Sequence, residues 1–320
     1  MTKNKAIDAL IGMAVGDALG VPVEFLSRDT LKLSPVVGMR GYGSHNQPIG
    51  TWSDDSSLAF CLAESLRKGY DLNDIANNFL KWYEENYWTP RGEVFDIGVA
   101  TSNALRRLRN GTKPILAGGA DESENGNGSL MRILPLIFYT KNKAIEERFR
   151  LVKEVSSITH AHIRSVLSCF IYTEYALELL KGTDKLLAFE KMKERVNNFL
   201  ESYKVCSEEE RHKFHRLLAH PNKDLDIRPV YEYAEQEVYS SGYVLHTLEA
   251  SFWCFLTTNS YADAVLKAVN LGSDTDTTGC VTGGLAGLYY GIENIPKEWL
   301  DSLVKKDAIL QVAEDLWKAT

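Results

Sequence analysis

Long apolar runs, cysteine motifs and strand-like alternation are what this 320-residue chain lacks. No stretch reaches the roughly 18 apolar residues that a membrane-crossing helix needs. The N-terminal MTKNKAIDALIGMAVGDALG begins basic but carries Asp8 and Asp17 inside its apolar part, which makes it a poor signal peptide. The five cysteines, Cys61, Cys169, Cys206, Cys254 and Cys280, are odd in number, widely spread and without a C-x-x-C. That excludes a disulfide framework and reads as reduced thiols in a cytoplasmic protein. Basic residues are in the minority, 36 Lys and Arg against 43 Asp and Glu for a net charge of −7. Such a balance argues against a generic nucleic-acid or anionic-membrane surface, and an anionic ligand would have to be met by local groups.

Three further absences narrow the chemistry. None of the seven histidines is followed by Asp, which removes helical phosphohydrolases built on an adjacent His-Asp pair. The G-N-G at 126–128 does not continue as G-x-G-x-x-G, because position 131 is Met, and nothing before it reads as a strand; a dinucleotide-binding fold is therefore discounted. His160 and His162 are two residues apart, too close to share the i, i+4 helical face of a zinc pair.

What is present is helical periodicity. In 5–19 the residues Ile7, Leu10, Ile11, Ala14, Val15 and Ala18 follow i, i+3, i+4, i+7 spacing, with Gly20 as a stop and Pro22 beyond. Leu58, Leu62 and Leu66 form a stripe ending at Gly69, and Asp74 to Glu85 reads as another amphipathic helix. Similar patterns run through 97–109, 144–157, 163–181, 184–203, 242–257, 260–270, 278–290 and 306–318. The gaps at 27–53, 111–128, 205–212 and 219–230 are rich in Gly, Pro, Asn, Asp and Ser, but none is a flexible linker. The expectation is an all-α protein, one compact helical domain over 1–320 without internal repeats.

Two helix starts carry more acid than capping requires. In GTWSDDSSLAF, residues 50–60, Ser53 and one Asp suffice for an N-cap and the helix dipole, yet Asp54 and Asp55 are adjacent and point about 100° apart. In LGSDTDTTGCVTGGLAGLYYG, residues 271–291, Asp274 and Asp276 are interleaved with Thr275, Thr277 and Thr278. Gly279, Gly283 and Gly287 behind them form a stripe without side chains that admits another backbone, so this helix is expected to be central and buried. Two unit charges ~4 Å apart repel by about 4 kcal/mol at an effective dielectric of 20, so converging acids require protons or metal. Carboxylate and hydroxyl oxygens without thiolates suit hard divalent cations, Mg²⁺ or Mn²⁺, and four carboxylates are enough for two.

The motifs G-D-A-L-G-V-P-V-E-F (16–25), T-W-S-D-D-S (51–56), F-D-I-G (95–98), G-N-G-S-L-M-R (126–132), I-T-H (158–160), S-G-Y-V-L-H-T-L-E-A (241–250) and L-G-S-D-T-D-T-T-G (271–279) occur in this order. As a set they resemble the ADP-ribosylglycohydrolase family in its bacterial form. The resemblance implies an all-α domain with two Mg²⁺ or Mn²⁺ ions that hold the ribose bearing the scissile glycosidic bond, and release of ADP-ribose from a modified acceptor. By position it makes Ser53, Asp54, Asp55, Asp274, Asp276 and Thr277 metal ligands, with Ser53 standing where Thr is more usual. It sets Glu24 beside the metals, as a ligand or as an acid/base that aligns water; otherwise Glu24 is a surface acid in a turn. Asp96 falls where relatives place an acid near the scissile ribose, although it could instead cap the helix starting near Ile97. Asp17 supports the ligands.

For the rest of the ligand, the resemblance makes Gly126, Asn127, Gly128 and Ser129 contacts to the diphosphate or ribose. Their backbone N–H groups are expected to meet the anion at the start of an apolar helix. His160 is implied to touch the ribose. Tyr243 either lines the cleft or is a core tyrosine, and His162 receives no role, since Ile163 follows it where relatives often have Pro. The acceptor, whether protein side chain, nucleic-acid base or metabolite, is left open, and a monomer is expected. The alternative is a non-catalytic ADP-ribose-binding module on the same fold, which retention of both metal motifs, Glu24 and Asp96 argues against.

Overall fold

The computed structural model describes residues 4–222, 224 and 227–320. Among them sixteen α-helices follow one another: α1 Lys5–Gly20, α2 Arg28–Leu33, α3 Asp54–Leu66, α4 Leu72–Glu85, α5 Val99–Arg109, α6 Leu136–Thr140, α7 Ile145–Ser157 and α8 Ile163–Leu180 in the first half. The second half holds α9 Lys185–Tyr203, α10 Glu208–Lys213, α11 His215–Leu218, α12 Val244–Leu256, α13 Tyr261–Val269, α14 Thr275–Tyr290, α15 Lys297–Ser302 and α16 Lys306–Ala319. Among the described residues there is no sheet, only isolated bridges such as Gly126 with Tyr243. The accessible surface, 12594 Å², is close to the ~13,000 Å² expected of one compact globule of this mass.

Helices α1 and α14 pair at the centre, because both carry glycine every fourth residue on the facing side. A Cβ on Gly12 would lie 2.4 Å from the Gly283 carbonyl oxygen, and one on Gly283 would lie 2.3 Å from that of Gly12. Backbone therefore touches backbone, and buried hydroxyls serve the pair: Tyr261 Oη donates to Gly12 O (2.7 Å) and Tyr172 Oη to Val281 O (2.9 Å). Helices α12 and α13 flank α14, while α3 and α16 lie on α1. The buried central helix expected from the glycine stripe is present.

One expectation needs correction. Lys5–Val23 has a mean hydropathy of 1.6, long and apolar enough to cross a membrane by composition, although Asp8 and Asp17 interrupt the run. In the fold 94% of that window is buried, the burial of a core helix. Short helices also occupy gaps that show no apolar period. Helix α2 buries only Leu31 and is started by Ser27, whose hydroxyl accepts from Thr30 N–H. Helix α10 buries no side chain and begins at Ser207, which accepts from Glu210 N–H. Capping rather than amphipathicity sets both.

Candidate active site

The N-termini of α3 and α14 meet beside the C-terminal turn of α1, which is where the acids converge. Asp17, fully buried on α1, caps α3 from outside: Oδ1 accepts from Ser53 N–H (2.9 Å), and Oδ2 accepts from Ser56 N–H (3.1 Å) and Ser56 Oγ (2.6 Å). The supporting role expected of Asp17 takes this form. Ser53 is the N-cap, its hydroxyl accepting from Asp55 N–H (3.3 Å). With capping shared between Ser53 and Asp17, Asp54 and Asp55 are left to face elsewhere. Asp54, Asp55 and Thr277 line the cavity, whereas Ser53 is buried and does not line it. Asp55 Oδ1 accepts from Thr277 Oγ1 (3.3 Å), joining the two helix starts.

On α14 the surplus acid is equally free. Asp274 occupies the N-cap position but makes no capping bond; its Oδ2 accepts from Asn127 Nδ2 (2.8 Å). Asp276 Oδ1 accepts from Thr277 N–H (2.9 Å). Three buried carboxylate oxygens, Asp55 Oδ2, Asp274 Oδ1 and Asp276 Oδ2, have no hydrogen-bond partner. Oxygens of Glu24, Asp274 and Asp276 lie within 4.8 Å of one another, as do donor atoms of Asp17, Asp55 and Cys280. Unpartnered oxygens in buried groups of this kind are costly unless a proton or a cation sits among them, and the carboxylate oxygens of this set fit hard divalent ions.

The electrostatics agree. Burial pushes the Asp17 carboxyl up to about 7 against the hydrogen bonds it accepts. Burial, then the neighbouring acids, raises Asp54, Asp55 and Asp276 well above the ordinary carboxylate range. Asp274 is raised by burial and held back by the Asn127 amide. Glu24 is pushed up to about 8 by burial, opposed by its hydrogen bond to His45.

His45 is a site residue that sequence patterns do not reveal. Its Nε2 bonds Glu24 Oε2 and stands 3.9 Å from Asp96 Oδ1, and its ring lies between Phe25 (5.8 Å) and Phe95 (5.4 Å). The hydrogen bond to Glu24 raises its pKa against the effect of burial. Ser44 Oγ fixes the same loop by donating to Glu24 O (2.5 Å). A single histidine in an irregular loop has no spacing partner, so only the fold shows its place. Asp96 does not cap α5, whose N-cap is Gly98 without a side-chain bond; it has φ 56° and faces the cavity.

A cavity of about 360 Å³ opens over these groups, lined by Glu24, Phe25, Asp96 and Val99 and also by Gly126, Asn127, Gly128, His160 and Gly242. His160 is buried, bonded through Nδ1 to Thr159 Oγ1 (2.8 Å), and burial with Arg132 nearby lowers its pKa to about 3, so it is neutral. Asp274 also lines the cavity here, its Oδ2 beside Gly242 and accepting from Asn127 Nδ2 (2.8 Å).

The expected anion nest at Asn127–Ser129 is corrected in three respects. The Asn127 N–H donates to Gly242 O (3.0 Å) and is committed. Ser129 is fully buried, with its hydroxyl accepting from Ser156 Oγ (2.9 Å). No long helix follows, since turns run to the short α6, which removes the macrodipole argument. Instead Arg132, fully buried, donates through Nη1 to Gly128 O and through Nη2 to Val155 O (3.2 Å), with its guanidinium over the Phe79 ring at 4.9 Å. Burial lowers its pKa only to about 10, so it remains a cation near Asp54 and His160. Tyr243 backs the bridge to Gly126 with its ring edge-on to His246 at 5.0 Å, and Gly242 forms the wall at that point. His162 acquires a role as the N-cap of α8, its Nδ1 accepting from Arg164 N–H (3.1 Å).

The ADP-ribosylglycohydrolase family profile matches residues 1–320. The chain belongs to this family. It is 34% identical to ADP-ribosylarginine hydrolase Tri1 of Serratia proteamaculans, covering 98% of this chain and 79% of the relative. It is 28% identical to ADP-ribosyl-[dinitrogen reductase] glycohydrolase of Rhodospirillum rubrum, covering 95% and 91%. A solved ADP-ribosylglycohydrolase-related protein complex aligns with a TM-score of 0.76 at 31% identity, covering 99% of this chain and 98% of that one. This ADP-ribosylglycohydrolase therefore hydrolyses the bond between ADP-ribose and an acceptor.

Asn127 gives the site a test that separates positioning from ligation. Its Nδ2 holds both Asp274 Oδ2 and Thr247 Oγ1, each at 2.8 Å. Asn127→Ala is expected to weaken Mn²⁺ binding about tenfold, the usual cost of removing a group that orients a ligand. Titration by electron paramagnetic resonance checks this, and unchanged affinity would show that Asp274 is oriented without it.

Proposed function

We propose that this ADP-ribosylglycohydrolase uses two divalent ions, Mg²⁺ or Mn²⁺, to release ADP-ribose from the arginine side chains of modified proteins. The observation that carries the metal reading is the set of unpartnered buried oxygens on Asp55, Asp274 and Asp276. Asp54, Glu24 and Thr277 complete the donors that would hold the ions. When bound, the ions supply positive charge to the ribose hydroxyls and to an attacking water. The arginine reading is supported by the 34% identical relative named for ADP-ribosylarginine. It is also supported by Glu24 and Asp96, grouped around His45 at the cavity, since acids there suit a cationic acceptor.

The diphosphate is met beside Gly126, Gly128 and neutral His160, with the Arg132 cation bonded to Gly128 O behind them. The ribose then lies over the acids and the acceptor leaves past Asp96. Glu24, buried and sharing a hydrogen with His45, is placed to align water, while the more open Asp96 is placed to hand a proton to the departing nitrogen. Asp96→Asn is expected to keep ADP-ribose and metal affinity within about twofold while lowering kcat about a hundredfold, the scale of acid/base assistance. Calorimetry beside steady-state kinetics checks it, and loss of binding with turnover intact would contradict the assignment.

The reading as a whole is tested by incubating the protein and Mg²⁺ with arginyl, seryl and nucleic-acid ADP-ribose conjugates and measuring free ADP-ribose. Release is expected from the arginyl substrate and is expected to stop on chelation. Tight binding without release from any acceptor would turn the assignment toward a binding module.

A further inference from the structure

The lining of the cavity includes two large apolar side chains that the fold leaves in solvent. Phe25 and Val99 line the cavity and are 70% and 78% exposed. Phe25 directly follows Glu24, and its ring stands 5.8 Å from that of His45, which bonds Glu24 and neighbours Asp96. A phenylalanine left outside only for want of core space would keep a relaxed backbone. Phe25 instead has φ 65°, a left-handed conformation that bulky residues avoid. The conformation is held by reciprocal bonds, Phe25 N–H to Ser273 O (2.7 Å) and Ser273 N–H to Leu26 O (2.8 Å), and Ser273 itself has φ 65°. The segment entering α14, which delivers Asp274, thus also pins Phe25 outward.

An aromatic face beside two carboxylates is the chemistry that recognises a planar cation. The carboxylates meet its charge and N–H edge, and the ring quadrupole meets its face. We propose that Phe25 determines specificity for the acceptor: its ring is the platform on which the guanidinium of an ADP-ribosylated arginine lies before the glycosidic bond is cleaved. This rests on the arginine reading above. On this proposal Phe25 acts on the acceptor and not on ADP-ribose itself.

Steady-state kinetics on an ADP-ribosyl-arginine peptide with Mg²⁺, for wild type, Phe25→Ala, Phe25→Leu and Phe25→Trp, tests the proposal. Phe25→Ala and Phe25→Leu are expected to raise KM about tenfold, with kcat within about twofold, and Phe25→Trp to restore the wild-type KM. Calorimetric affinity for free ADP-ribose is expected to be the same in all four. A wild-type KM in Phe25→Leu or Phe25→Ala would overturn the platform, and so would a parallel loss of ADP-ribose affinity, which marks a disturbed site. Wild type that releases nothing from the arginyl peptide would overturn the arginine reading beneath it, whereas active wild type with indifferent variants overturns the platform alone.

Discussion

Metal-free protein carrying Asp55→Asn is expected to melt above metal-free wild type at pH 8, by a margin that shrinks toward pH 5, while its hydrolytic turnover falls by about a hundred- to a thousandfold. The two effects share one cause. Asp55 is buried against Asp17 and Asp54, so its folded pKa is raised well above the ordinary 3.8, as are those of Asp17 and Asp54. Below about pH 4 both folded and unfolded chains hold these protons, and the cluster costs nothing. As pH rises past that point the unfolded chain releases protons that the folded chain retains. Stability then falls by about 1.4 kcal/mol per pH unit for each extra proton held. The loss is complete only above the folded values, about 7 for Asp17 and about 8 for Glu24.

Asparagine at position 55 removes one of these groups, so the variant escapes part of the decline. Mg²⁺ is expected to do for the wild type what the substitution does for the variant, raising its melting temperature more at pH 8 than at pH 5, because ligation requires the ionised acids. Thermal melts with chelator and with Mg²⁺ at both pH values check this. Equal melting of variant and wild type at pH 8, or undiminished turnover, would show that Asp55 is not part of a charged ligand set.

Gly16→Val is expected to leave almost no folded protein, although no catalytic group is touched. Even a Cβ at Gly16 would lie 2.1 Å from the carbonyl oxygen of Gly279, and one at Gly279 would lie 2.4 Å from that of Gly16. Both obstacles are backbone of the central helices, so no rotamer change relieves them and α1 must move away from α14. That movement opens the core and also separates Asp17 from Asp276 and Thr277, which these helices carry. A cost of about 4 kcal/mol or more is expected, at the upper end of overpacking effects. Circular dichroism and denaturant melts measure it. Gly111→Asn serves as the control: Gly111 has φ 88°, and a Cβ there would meet no atom within 4 Å. Asparagine tolerates the left-handed region, and this substitution is expected to cost less than about 1 kcal/mol.

Much of this enzyme is legible in one dimension because the relevant signals are local. Helical spacing locates the long helices, since burial of one face imposes the period on the residues themselves. The doubled acids at 54–55 and 274–276 stand out because a helix start needs only one, and glycine every fourth residue after 279 implies a close backbone partner. Motif order carries the family. Five short helices escape this reading; α2 and α10 among them are held by caps and bury almost nothing.

The partner of each local feature was decided only in three dimensions. Asp17 caps α3 across 36 residues of sequence, and Asn127 grips Asp274 across 147. The G-N-G turn, read alone, offers three free amides; folded, that of Asn127 bonds Gly242 O. Arg132, one more residue after a turn in sequence, becomes a buried cation bonded to Gly128 O. His45 enters the site because Glu24 and Asp96 are brought to it from either side, and Phe25 faces solvent because Ser273 holds its backbone. The sequence by itself determined which stretches are helices, which acids exceed capping needs and which family the chain resembles, since each depends on residues near one another in the chain. The tertiary structure alone decided which oxygens lose water without gaining a partner, because burial depends on chain segments distant in sequence.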